Sequence, residues 1–85
     1  TQYAASAIIL ATGSAPAVPP IPGWDLPGMM TSDGALALAE APRSVVVVGG
    51  GVIGIELASF FAQLDIPVTV LEALPDMLGD LQWRL

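Results

Sequence analysis

The sequence predicts an α/β fold built on a doubly wound parallel sheet, and three observations carry that expectation. A β-branched run, Val45-Val46-Val47-Val48, passes directly into a cluster of glycines at 49, 50, 51 and 54. Apolar residues then recur at helical spacing, at Ile53, Leu57, Phe60, Phe61 and Leu64. Pro67 interrupts that period, and a second β-branched run, Val68-Thr69-Val70-Leu71, ends on an acid, Glu72. Strand, glycine turn, helix and strand in this order describe a crossover unit of a parallel sheet.

Taken from its start, the chain first offers a small apolar stretch, in which Ala7-Ile8-Ile9-Leu10-Ala11 is expected to be a buried strand ending at Thr12-Gly13-Ser14. Residues 1–13 are therefore expected to be the last strand of a preceding domain. Residues 14–42 are expected to be a connector with one short helix. Prolines at 16, 19, 20 and 22 remove amide donors and fix φ, which excludes a helix interior or a central strand. Turns continue through Gly23-Trp24-Asp25-Leu26-Pro27-Gly28. Thr31 or Ser32 then offers an N-cap before the good helix formers Ala35 to Glu40; Asp33, near the start of this short helix, is favoured by the helix dipole, and Pro42 ends the run. Residues 43–85 are expected to begin the next domain, with the long helix running from Val52 to about Leu64. Asp65 follows where a left-handed C-cap residue belongs, so a positive φ is expected there. A loop over Ala73 to Gly79 and a second helix near Asp80 complete the expected order. The chain begins without Met inside its first expected strand and ends as a helix starts, so it reads as an internal piece of a longer protein.

Composition narrows the function classes. The net charge is −6, and the two cations are Arg43 and Arg84, so the chain lacks the basic surface that phosphate backbones require and nucleic-acid binding is disfavoured. Cysteine and histidine are absent, which excludes disulfides, thiolate metal sites and a thiol nucleophile within these residues. No metal site is expected. No apolar run reaches the roughly 18–20 residues of a membrane span, and the glycines break the most apolar stretch.

The glycines carry the chemistry. Gly49, Gly51 and Gly54 satisfy G-x-G-x-x-G between a strand and a helix, the fingerprint of a Rossmann-type dinucleotide-binding unit. No lysine or arginine stands in the loop, so backbone amides at the helix start must bind the pyrophosphate. Gly49 permits the tight turn, Gly51 removes a side chain that would hold phosphates away, and Gly54 lets the helix lie close to the strands. Gly50 occupies a variable position and is expected only to add freedom. The Lys-Ser/Thr pair of a P-loop is missing. Glu72, 18 residues after Gly54, stands where an adenosine ribose would lie. Its carboxylate accepts from both ribose hydroxyls and repels a 2′-phosphate, which points to NAD(H) or FAD and away from NADP(H). Glu56, expected on the first helical turn, is open to two readings: an acid favoured by the dipole, or a carboxylate facing a redox site.

The residues Ile8-Ile9-Leu10-Ala11-Thr12-Gly13-Ser14 with Pro16, then Thr31-Ser32-Asp33, Pro42, Gly49 to Glu56 and Val68 to Glu72, run in a single order along nearly the whole chain. In that order they resemble the flavin-dependent disulfide oxidoreductases of the pyridine-nucleotide class, most of all their dihydrolipoyl dehydrogenase branch. The resemblance implies two cofactors. Thr12, Gly13 and Ser14 would close an FAD-binding domain. Gly49, Gly50, Gly51, Val52, Ile53, Gly54, Ile55, Glu56 and Glu72 would serve NAD, with Glu56 beside the nicotinamide near the flavin edge. The implied reaction of the whole enzyme is oxidation of dihydrolipoamide to lipoamide with reduction of NAD+ to NADH, through a cysteine pair and FAD. The resemblance also implies a cytoplasmic homodimer, which can serve a 2-oxo acid dehydrogenase complex. This chain holds neither the cysteine pair nor the family's histidine–acid pair, so alone it is expected to be inactive. Asp65-Ile66-Pro67 departs from the glycine-containing turn of relatives. Related NADH-dependent flavoproteins (NADH oxidase, mercuric or rubredoxin-type reductases) share the build. A non-catalytic nucleotide-binding unit is the reading from another class.

Overall fold

The computed structural model describes residues 1–78, and within them four elements follow in order: α1 (Ser32–Leu36), β1 (Val45–Val48), α2 (Val52–Gln63) and β2 (Val68–Leu71). The two strands pair in parallel, with Val45 opposite Val68, Val46 opposite Thr69, Val47 opposite Val70 and Val48 opposite Leu71. The ladder continues one bond beyond each end. The Val45 amide donates to the Pro67 carbonyl at 2.9 Å, and the Gly49 amide donates to the Leu71 carbonyl at 2.8 Å. A parallel pair needs a crossover, and α2 supplies it. The α/β, Rossmann-type expectation is met.

Strand alternation assigns the faces. Val45, Val47, Val68 and Val70 are half-buried, whereas Val46, Val48, Thr69 and Leu71 are exposed. Among the described residues, Ala58 and Phe61 of α2 and Ile66 beyond it are the buried apolar ones, and the Phe60 and Phe61 rings meet edge to face with centroids 5.4 Å apart.

The end of α2 explains why Ile66 is in this core. Asp65 has φ 59°, the left-handed value expected from the sequence. The Asp65 amide donates to the Ala62 carbonyl at 3.0 Å and the Ile66 amide to the Phe61 carbonyl at 3.2 Å, the paired bonds of a Schellman cap. Phe61 and Ile66, the two positions whose apolar side chains accompany that motif, are both buried. Aspartate thus does here what glycine does elsewhere, and the chain leaves the helix aimed along β2.

Two expected elements differ. The short helix starts where the Thr31 cap places it but spans only Ser32–Leu36, so it does not reach Glu40. Thr31 is its N-cap with extended backbone but no side-chain cap bond; its carbonyl accepts from the Ala35 amide at 3.0 Å. The Ala37 amide turns back to the Asp33 and Gly34 carbonyls and closes the helix. Ala41 precedes Pro42 and is biased away from helical angles, and so short a helix has little to propagate on. The strand expected at Ala7 to Ala11 is not formed: Ile8, Ile9 and Leu10 are 80%, 90% and 86% exposed and carry no regular structure. A strand exists through its ladder, and among the described residues β1 and β2 pair only with each other. The connector is a series of turns, tight at Pro19 to Ile21 and with Gly23 and Gly28 at φ 95° and 89°. The helix expected near Asp80 lies outside the described residues. No helix among the described residues is long and apolar enough to cross a membrane.

The Cα radius of gyration is 17.3 Å, against about 12 Å for a compact domain of this length. With its core reduced to Ala58, Phe61 and Ile66, the 85-residue chain alone is expected to show no cooperative thermal transition by circular dichroism. A sharp sigmoidal transition from a monomer would contradict this.

Candidate functional site

The β1–α2 turn uses each of its amides differently. Gly49 stands at φ 110°, a backbone region that side chains rarely enter, and its N–H is consumed by the sheet. The Gly50 amide donates to Oε2 of Glu72 at 2.6 Å. Gly51 is the N-cap of α2, in extended conformation, and the first helical bond runs from the Ile55 amide to the Gly51 carbonyl at 3.0 Å. The amides of Gly51, Val52, Ile53 and Gly54 therefore have no acceptor within the helix. Together with the helix dipole they form an anion site that needs no charged side chain.

Steric room agrees with this division. A Cβ built on Gly51 meets nothing within 4 Å, so the space in front of the free amides is open. A Cβ on Gly54 would strike the Gly49 carbonyl oxygen and come within 3.2 Å of Val47 Cγ1. Only glycine at 54 lets the helix start rest on the turn. Val52 and Ile53 are exposed and, with Gly49, Gly51 and Gly54, line a cleft of about 840 Å³ whose other wall includes Pro16, Trp24, Met29 and Met30. That volume lies in the range of small-molecule sites.

Glu72 follows β2 immediately. Its Oε2 accepts from Gly50 and its Oε1 accepts from the Leu74 amide at 3.0 Å. The Leu74 amide first, and the Gly50 amide next, hold the carboxyl below the usual carboxylate range; partial desolvation opposes them and the Ala73 amide adds to them. Each carboxylate oxygen offers two lone-pair directions, so two bonds leave acceptor capacity on a side chain that is exposed. The arrangement can grip an anion on the amides and a diol on the acid.

The remaining expected residues are distributed differently. Ile55 lies half-buried on the first turn of α2. Glu56 is not on that turn, contrary to expectation: α2 begins at Val52, so Glu56 is its fifth residue, where the dipole's help has faded. It is exposed and borders a second groove with Ser32, Leu36, Ile53, Leu57 and Phe60. Thr12, Gly13 and Ser14 are exposed, Gly13 at φ 85°, and they are not among the residues lining the glycine-loop cleft. The structure does not bring them together with the loop. It adds Met77 and Leu78, which the sequence did not single out, and gives Gly50 a contact role. Gly50 is buried and its carbonyl accepts from the Leu78 amide at 2.7 Å, so its place in the turn is one of contact, where the sequence predicts only added freedom. Met77 lies against the same glycine. The fourth glycine was the available signal; nothing in the local pattern marked Met77 or Leu78.

A parallel strand–helix–strand unit with a side-chain-free anion site at the helix start and a carboxylate closing the second strand is a Rossmann-type nucleotide-binding unit. The chain belongs to the pyridine nucleotide-disulphide oxidoreductase family, whose profile matches residues 1–84. It is similar to a dihydrolipoyl dehydrogenase of Chlorobaculum tepidum, 51% identical over 73 residues (84% of this chain, 15% of the relative), and to one of Trypanosoma brucei brucei, 49% identical over 67 residues (79% and 14%). It is equally similar to a soluble pyridine nucleotide transhydrogenase of Mycobacterium bovis, 52% identical over 71 residues (84% and 15%). The chain spans about 15% of the length of these curated relatives. No solved structure matches it. The family's cofactors are FAD and NAD(H), and the open cradle at Gly51 with its four free amides fits the pyrophosphate of a dinucleotide.

The lowered Glu72 value sets a pH expectation. A depressed folded value means that the carboxylate's contribution is present above the ordinary glutamate value, about 4.3, and is lost only as pH falls through the lowered one. Carbon-13 NMR of labelled glutamate in the native protein is expected to show Glu72 titrating on the acid side of an ordinary glutamate. A midpoint at or above the ordinary value would contradict the hydrogen-bonded geometry.

Proposed function

We propose that the unit from Val45 to Glu72 binds the adenosine and pyrophosphate portion of NAD(H) in an FAD-dependent disulfide oxidoreductase that oxidises dihydrolipoamide to lipoamide. One observation carries this reading: the unbonded amides of Gly51 to Gly54 start α2 at the end of β1, and the carboxylate of Glu72, at the end of the neighbouring β2, is tied to the same loop by the 2.6 Å bond from Gly50. The amides receive the pyrophosphate, and Val52 and Ile53 wall the approach. Glu72 accepts from the ribose hydroxyls. A 2′-phosphate is repelled there, in a loop without lysine or arginine.

Residues 1–13 belong, on this proposal, to the end of an FAD-binding domain, with Thr12, Gly13 and Ser14 near the flavin dinucleotide. Residues 14–42 connect it to the NAD-binding domain that starts at residue 43. Glu56 faces the nicotinamide end, and its exposed place on the second turn of α2 leaves it free to meet a cation from another segment. Bound flavin and nicotinamide supply the electron and hydride chemistry, while these residues hold and orient them. The chain contains no cysteine or histidine, so it contributes binding and neither the thiol pair nor the histidine of the reaction, and alone it is inactive. The working protein on this proposal is a cytoplasmic homodimer that can serve a 2-oxo acid dehydrogenase complex.

A second reading is hydride exchange between two pyridine nucleotides, supported by the 52% identity to a transhydrogenase. The two separate in one assay of the full-length protein. Reduction of NAD+ by dihydrolipoamide supports the first reading; reduction of a thio-NAD+ acceptor by NADPH without any dithiol supports the second and overturns the first. Glu72→Ala in that protein is expected to raise the KM for NADH roughly tenfold or more, the scale of lost charge-assisted hydrogen bonds. Unchanged kinetics would remove the ribose assignment.

A further inference from the structure

We infer that the segment from Ala73 to Leu78 is a strap whose residue Met77 positions Glu72 by closing over Gly50, making Met77 a specificity-determining residue of the nucleotide site. The inference rests on the proposed ribose role of Glu72 and extends it to residues that do not themselves reach the ligand.

Gly50 is held from three sides. Its N–H donates to Glu72 Oε2 at 2.6 Å, its carbonyl accepts from the Leu78 N–H at 2.7 Å, and the Met77 side chain covers it. A Cβ at Gly50 would stand 2.9 Å from Met77 Cγ, 3.1 Å from Glu72 Oε2 and 3.4 Å from Glu72 Cβ. Gly50 does not lie in the left-handed region, unlike Gly49 at φ 110°. The need for glycine at 50 is therefore one of contact and not of backbone freedom. Leu78, a branched residue, takes φ 65° to aim its amide at Gly50, a conformation that tertiary bonding must sustain. The Leu74 amide fixes the other carboxylate oxygen.

These contacts form one device. Without the Met77 and Leu78 contacts to Gly50, Glu72 keeps the Leu74 bond within its own turn but loses its fixed distance to the glycine loop. A ribose and a pyrophosphate of one ligand need acid and amides at a set separation, so loosening the Gly50 clamp degrades the fit to both. It also moves the charge that repels a 2′-phosphate, so the preference for NADH over NADPH falls with it.

The test uses the full-length protein that carries this chain, with Gly50→Ala, Met77→Ala, the double variant and Glu72→Ala compared by the KM for NADH and for NADPH. Gly50→Ala is expected to raise the KM for NADH about tenfold, to leave kcat nearly unchanged and to narrow the NADH/NADPH preference. Met77→Ala alone is expected to raise it about threefold, and in the double variant the vacated Cγ space returns the value to about that level, a non-additive rescue. A double variant as impaired as Gly50→Ala overturns the clamp, because a purely conformational need for glycine is blind to residue 77. If Gly50→Ala does not accumulate folded protein, as judged by flavin content and circular dichroism, Met77→Ala decides alone: an unchanged nucleotide preference overturns the proposal. Neutral behaviour of Glu72→Ala would instead remove the ribose reading on which the clamp depends, so the two failures are distinguishable.

Discussion

The first turn of α2 rests directly on the backbone that leaves β1, and no side-chain atom fits between them. Residue 54 has no space for a Cβ because the Gly49 carbonyl oxygen already occupies it, and Val47 stands just behind. This close approach sets the direction of α2 over the sheet, and through it the burial of Ala58 and Phe61. It also sets where the unbonded amides of Gly51 to Gly54 point. Packing and binding thus draw on the same constraint: a helix start that touches a strand end is also one whose amides face outward at a fixed place.

Electrostatics then complete the site without cations. A chain of net charge −6 with two arginines would be a poor host for a dianionic pyrophosphate if side chains had to do the work. Backbone partial charges are indifferent to that balance, because unbonded amides and the helix dipole act at short range. Glu72 fits the same logic. Its negative charge is tolerated next to the anion site because its oxygens are held by the Leu74 and Gly50 amides, which also depress its proton affinity. The acid closes the turn and remains available on its outer side.

Much of the central unit was legible in the residues themselves. Val45 to Val48 and Val68 to Leu71 are the strands, and α2 starts at the expected Val52 and ends one residue before the expected Leu64. Asp65 takes the expected left-handed turn, since the αL position after a helix is a local requirement that a short polar residue can satisfy. What failed did so where local pattern depends on distant partners. Ile8 to Leu10 have strong strand character and no ladder to join, so they are exposed. Leu38 to Glu40 include good helix formers, but the helix has already closed at Ala37, whose amide turns back to the Asp33 and Gly34 carbonyls.

Sequence by itself determined the elements of the unit, the absence of cysteine and histidine from these residues and of lysine and arginine from the loop, and the pairing of a glycine loop with a strand-end acid. These follow from residue type and spacing along a single chain, and family membership agrees with them. Only the tertiary structure decided what each glycine is for. Gly49 serves backbone conformation, Gly51 leaves open space, Gly54 permits contact with the turn, and Gly50, the one without an assigned place in the fingerprint, is closed in by Glu72, Met77 and Leu78. The physical reason is distance in sequence: residues 50 and 77 meet because two parallel strands bring their ends together, and no local period records that meeting.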